Sequence, residues 1–143
     1  MPIVRLWAHC IWATKNRERI LKPDIRSELL RHMADYARKN GIFIDCLNGS
    51  IDHLHLLVSL GADQRISEVV RMLKGESAFW LNRSGAFPFR FAWQDDYFAA
   101  SVSESQADKV RNYIANQVEH HRVKSFAEEY DEWVEKCGFA KPG

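Results

Sequence analysis

With 143 residues, of which 46% are hydrophobic and 27% charged, the chain has the size and balance of one ordinary domain, and a single domain over 1–143 is the expectation. No stretch approaches the roughly 20 apolar residues of a membrane-spanning helix, and the opening residues lack the pattern of a secretory signal, so a cytoplasmic protein without membrane partners is expected. The net charge of +1 gives no overall basic surplus for phosphate binding, and three scattered cysteines without a CxxC pattern speak against a disulfide framework or a structural zinc site.

Ile3 to Thr14 reads as a long first strand, followed by a polar loop, Lys15 to Arg19. Pro23 opens a helix whose apolar positions, Ile25, Leu29, Leu30, Met33, Tyr36 and Ala37, recur every three or four residues until Asn40-Gly41 stops it. Ile42 to Leu47 is a second strand and Ile51 to Leu60 a third, with Asn48-Gly49 between them as a two-residue hairpin signal. A second amphipathic helix runs from Ile66 to Leu81, and Phe91 to Val102 reads as a turn into a fourth strand. Ser103 and Gln106 form a capping-box pattern for a third helix reaching Lys124; Ser125 and Glu128 repeat it for a final helix ending before Gly138. The acidic run Glu128, Glu129, Asp131, Glu132 and Glu135 reads as a solvated helix face.

The first six elements follow the order βαββαβ, so the expected fold is α+β: a ferredoxin-like, RRM-like sandwich with an antiparallel sheet plus C-terminal helices. Its first and third strands lie at the centre of the sheet. Side chains alternate along a strand, so His53 and His55 in the third strand point the same way, while Leu54, Leu56, Val58 and Leu60 face the opposite side. Two imidazoles side by side can share one metal ion; alone, such a pair is also compatible with partly buried sheet residues. With both crossover helices on the leucine face, the histidine face is left to the helix after strand four. That helix sets Tyr113 and Gln117 one turn apart, followed by His120 and His121.

These residues resemble the single-tyrosine HUH transposases of small bacterial insertion sequences, the IS200-like family, and their REP-associated tyrosine transposase relatives. The resemblance runs in order along nearly the whole chain: Thr14-Lys15-Asn16-Arg17, the block Asp52 to Leu57, the helix ending Leu73-Lys74-Gly75, Trp93-Gln94, Ser101 to Ser103, and Tyr113 to Gln117 with His120-His121-Arg122. It implies that His53, His55 and Gln117 hold a divalent metal, Mg2+ or Mn2+, and that Tyr113 is the nucleophile forming a 5′-phosphotyrosine with single-stranded hairpin DNA. Ligand softness alone would suit zinc, nickel or iron at least as well. Lys15, Arg17, Arg71, Lys74 and Gly75 are candidate DNA contacts; Trp12, Trp80 and Trp93 fit the core better than base stacking. The family also implies a homodimer in which the tyrosine helix of one subunit can complete the histidine site of the other. The alternatives are a domesticated relative that nicks repeated palindromes and a hairpin-binding module that does not cut.

Overall fold

The computed structural model describes residues 2–116 and 125–138. β1 (Leu6–Ala13), β2 (Phe43–Gly49), β3 (His53–Leu60) and β4 (Phe98–Val102) form one antiparallel sheet in the order β2-β3-β1-β4. The two central strands are buried on both faces, which is why each reads as a nearly unbroken run of apolar, histidine and small residues. α1 (Pro23–Lys39) and α2 (Ile66–Ser84) cover one face, where Leu29, Met33, Val70 and Leu73 meet Cys10, Trp12, Leu54, Leu56 and Val58. Each fully buried leucine there contributes about 1.5–3 kcal/mol relative to exposure. α3 (Ala107–Ala115) and α4 (Phe126–Lys136) lie on the other face against Trp7, Ile11, Ala13 and Leu57. The expected βαββαβ order with C-terminal helices on the histidine face is what the chain adopts. Trp12 and Trp93 are core residues, 0% and 6% exposed. No helix among the described residues is long and apolar enough to cross a membrane.

Some expectations shift. The first strand begins at Leu6, because the four preceding residues lack a pairing partner on β3 or β4. Asn48 and Gly49 are not the hairpin turn: both stay in β2, paired with His55 and Leu54, and the chain reverses over 50–52, closed by Ser50 N–H donating to His53 O at 2.9 Å. The asparagine and glycine serve other needs. Asn48 Nδ2 donates to the carbonyls of Ile114 and Ala115, at 2.9 and 3.2 Å, and so caps the end of α3. A Cβ on Gly49 would lie 2.5 Å from Leu54 Cδ2 and 2.7 Å from His53 O, so the glycine permits close approach of the two strands. Ser103 does not cap the third helix either. The chain enters through a 3-10 turn, Glu104–Gln106, and the α-helical part starts at Ala107, too late for a Ser103 to Gln106 box. Ser125 does act as expected, accepting from Glu128 N at 3.3 Å. The part of the third helix expected over 117–124 lies outside the described residues.

α3 is tied down along its length. Trp7 Nε1 donates to Glu104 Oε2 at 2.6 Å just ahead of it, and Arg111 Nε donates to Asp45 Oδ2 at 2.6 Å. Asp45 is the extra residue of a β-bulge between Ile44 and Cys46, which re-aims its carboxylate toward the helix. Gly49→Ala is expected to lower stability by about 1–3 kcal/mol, the usual cost of overpacking a tight site, in a urea unfolding series. An unchanged midpoint and slope would contradict the described strand approach.

Candidate active site

Because β3 alternates, His53 and His55 both turn toward α3 and α4, and both are fully buried. Their outer nitrogens converge on one side chain expected from its acidic neighbours to face solvent, Glu129 of α4. His55 Nε2 lies 2.9 Å from Glu129 Oε1 and His53 Nε2 lies 3.4 Å from Oε2. Tyr113, from α3, donates its hydroxyl to the same Oε1. Glu129 is 2% exposed, so the acidic run is not uniformly a solvated face. It sits on the stripe made by Tyr130, Trp133 and Val134, and a carboxylate at apolar helical spacing is the signal that could have marked it.

The inner nitrogens are also engaged. His53 Nδ1 lies 2.7 Å from Asp52 Oδ1, and His55 Nδ1 lies 2.9 Å from Nε2 of His9, a fully buried residue of β1. His9 stacks on His55 with ring centroids 5.1 Å apart, and Trp133 meets it edge-on at 4.5 Å. No local sequence pattern marks His9, although it shares the strand register of Trp7, Ile11 and Ala13, which faces the histidine side. Burial, then the neighbouring His55, holds the pKa of His9 well down, which favours a neutral ring. Burial also opposes charge on His53, yet hydrogen bonds and charge from Asp52 and Glu129 outweigh it and raise its pKa. The Tyr113 pKa is raised above the ordinary phenol range, first by burial and then by its bond to Glu129. The phenol is therefore protonated in this arrangement.

His53, His55 and Glu129 each offer one ligand atom, all within 4.8 Å of one another, in a set that fits a divalent metal. With the outer nitrogens given to a cation, the inner N–H groups would be donated to Asp52 and His9, the outer-shell support such ligands need. The carboxylate also brings a hard oxygen to a set that two imidazoles alone would leave soft.

A family model described as "Transposase IS200 like" matches residues 3–117. The chain belongs to the IS200-like transposase family. A relative, the ISDra2 transposase TnpA of Deinococcus radiodurans, is 30% identical over 122 residues, covering 80% of this chain and 86% of that protein. A crystal structure of a candidate transposase from the same organism superposes with a TM-score of 0.66 at 30% identity, over 81% of this chain and 93% of that one. The REP-associated tyrosine transposase bound to a REP hairpin shares the fold, with a TM-score of 0.62 at 18% identity, over 84% and 71% of the two chains.

Within this IS200-like transposase, Tyr113, His53 and His55 come together in one chain; Gln117, with His120, His121 and Arg122, lies outside the described residues. Lys15 and Arg17 are exposed just past β1, in a turn where Asn16 and Arg17 both hold left-handed backbone, at φ 58° and 54°. Arg71 and Gly75 are exposed on α2. Lys74 is committed elsewhere: its ammonium donates to the carbonyls of Gln94, Asp95 and Asp96 at 2.6–3.3 Å and ties that loop to α2.

Because its folded pKa is raised, His53 contributes stability that is full below about pH 6.5, the ordinary histidine value, and is lost as pH rises through the higher folded value. Glu129→Gln is expected to lower the His53 pKa of the metal-free protein in an NMR titration. A value that stays put or rises would contradict the docking of α4 on the histidines.

Proposed function

We propose that this transposase cleaves and rejoins single-stranded DNA through a covalent 5′-phosphotyrosine at Tyr113, acting on the hairpin ends of a small mobile element. The observation that supports this reading best is the meeting of one phenol and two imidazoles on a single buried carboxylate within one chain. A carboxylate removed from water must be compensated, and here the groups that compensate it are the ones strand transfer would use.

His53 and His55 would hold Mg2+ or Mn2+, with Glu129 a carboxylate ligand and Gln117 a further candidate. When bound, the cation withdraws charge from a non-bridging phosphate oxygen. The protein's own tasks follow from the geometry. Tyr113 must give up its hydroxyl proton to attack, and Glu129 already accepts that hydrogen. The phenolic oxygen forms a bond to phosphorus, the bond from phosphorus to the 3′ oxygen breaks, and that oxygen takes up a proton to leave as a 3′-hydroxyl. A second 3′-hydroxyl can reverse the step, returning the proton to tyrosine, because the phosphotyrosine keeps the energy of the original ester.

The strand has a route to the phenol. A cavity of about 630 Å³ lies between the edge strand β4, α3 and α4; Tyr113 and Trp133 are on its wall and Lys109 and Lys136 at its margin, which suits a phosphate backbone. Lys15, Arg17, Arg71 and Gly75 are further contacts. The REP hairpin held by a fold neighbour fits a hairpin substrate. The tyrosine acts in cis in this reading, whether or not the protein dimerises.

Incubation with labelled hairpin-bearing single-stranded DNA and Mn2+ is expected to give a denaturation-resistant adduct that Tyr113→Phe abolishes while DNA binding persists. An adduct of undiminished yield in that variant would contradict the assignment. His53→Ala is expected to weaken Mn2+ binding by more than about tenfold, measured calorimetrically without DNA; unchanged affinity would remove His53 from the ligand set.

A further inference from the structure

We propose that the groove between the second half of α2 and the 85–94 loop binds unpaired nucleobases of single-stranded DNA, which stack on Phe79 and Phe89 while Arg83 and Arg90 meet the flanking phosphates. The inference rests on the strand-transfer reading above and adds a subsite on the opposite side of the sheet from Tyr113.

One wall is helical. Arg71, Gly75, Phe79 and Arg83 follow one another at four-residue spacing, so they share a face of α2, and all four are exposed. Phe79 is 57% exposed, and Arg83 lies over its ring at 5.5 Å, already using the phenyl face as a stacking platform. Gly75 is the second clue. Glycine in a helix interior is less stable than alanine, yet a Cβ there would meet nothing within 4 Å, so packing within the described fold gives no reason for it. A ligand approaching the helix backbone closely does.

The other wall is an aromatic stack that runs outward from the core. Phe91, 1% exposed, stacks on Phe87 at 5.7 Å and 15°, and Phe87 stacks on Phe89 at 5.1 Å and 20°. Phe89 ends the series at 45% exposure, where a base can extend it. Asn82 fixes this wall to α2 by donating to Phe91 O at 3.0 Å and accepting from Phe91 N at 2.7 Å. The groove, about 810 Å³, is thus preformed. Its loop continues to the histidine end of the sheet, where Lys15 N donates to Ala92 O and Gln94 N to the O of Ala13, the residue paired with His53.

Phenyl faces flanked by arginines favour single-stranded DNA over the other occupants. A duplex keeps its bases stacked on one another, and an apolar protein surface would leave the arginines unmatched. The test uses fluorescence anisotropy of the full chain without divalent metal, on an unstructured strand of about 12 nucleotides and an abasic strand of equal length. Phe79→Ala and Phe89→Ala are each expected to weaken the base-bearing strand about fivefold or more and to leave the abasic strand nearly unchanged, with Phe79→Trp restoring affinity. Gly75→Ala is expected to raise the melting temperature while weakening strand binding. The proposal is overturned if both alanine variants bind the base-bearing strand like wild type, if the two strands lose affinity equally, or if Phe79→Ala instead dissolves a dimer that DNA does not compete with. Undiminished adduct formation at Tyr113 together with unchanged affinity would overturn the groove alone. Absence of both adduct and strand binding in the wild type would overturn the groove and the strand-transfer reading together.

Discussion

A carboxylate removed from water must be compensated, and the compensation of Glu129 organises the histidine face of this protein. At 2% exposure its two oxygens are met by His55 Nε2, His53 Nε2 and the Tyr113 hydroxyl, which come from a central strand and a neighbouring helix. Removing any one partner would leave part of a buried charge unmatched, which costs several kcal/mol in an environment of this kind. The cluster therefore couples a central strand, β3, to two helices, α3 and α4, that follow it by some fifty residues or more in the chain. On the proposed reading, the same convergence sets the nucleophile, its proton acceptor and the metal ligands within reach of one phosphodiester.

The rest of the fold holds those elements in register. The bulge at Asp45 turns a carboxylate to Arg111, Asn48 closes the carbonyl end of α3, and Gly49 lets β2 approach the residue next to His53. Each of these is a β2 feature acting on a helix or strand that carries a site residue. On the far side of the imidazoles, Asp52 and His9 hold the inner nitrogens. A sheet that is buried on both faces at its two central strands is rigid enough to keep such a cluster in place, and α4 closes it from above.

Much of this was legible in the chain. Period-two alternation orients His53 and His55 together, the element order implies the sheet topology, the third helix sets Tyr113 and Gln117 one turn apart, and the resemblance to the IS200-like family is what singles out Tyr113. What escaped depends on contacts between distant segments. Glu129 lies among four other acidic residues of one short helix, set apart from them only by its place on the apolar stripe, and what it meets there depends on where that helix docks. His9 is an isolated histidine until pairing sets it against the strand that carries His55. Asn48-Gly49 looks like a turn because the same residue types serve turns, caps and close strand contacts, and local sequence does not say which partner will arrive. Lys74 likewise reads as a phosphate contact until the loop carbonyls around it are known.

The central claim is that phenol, imidazoles and carboxylate act together within one chain. Subunit mixing tests it most directly: combine Tyr113→Phe protein with His53→Ala protein under conditions in which the wild type forms a covalent adduct with single-stranded DNA. With the site complete in cis, each variant lacks one essential group and the mixture forms no adduct. An adduct in the mixture, when neither variant gives one alone, would show that tyrosine and histidines come from different subunits and would contradict the account.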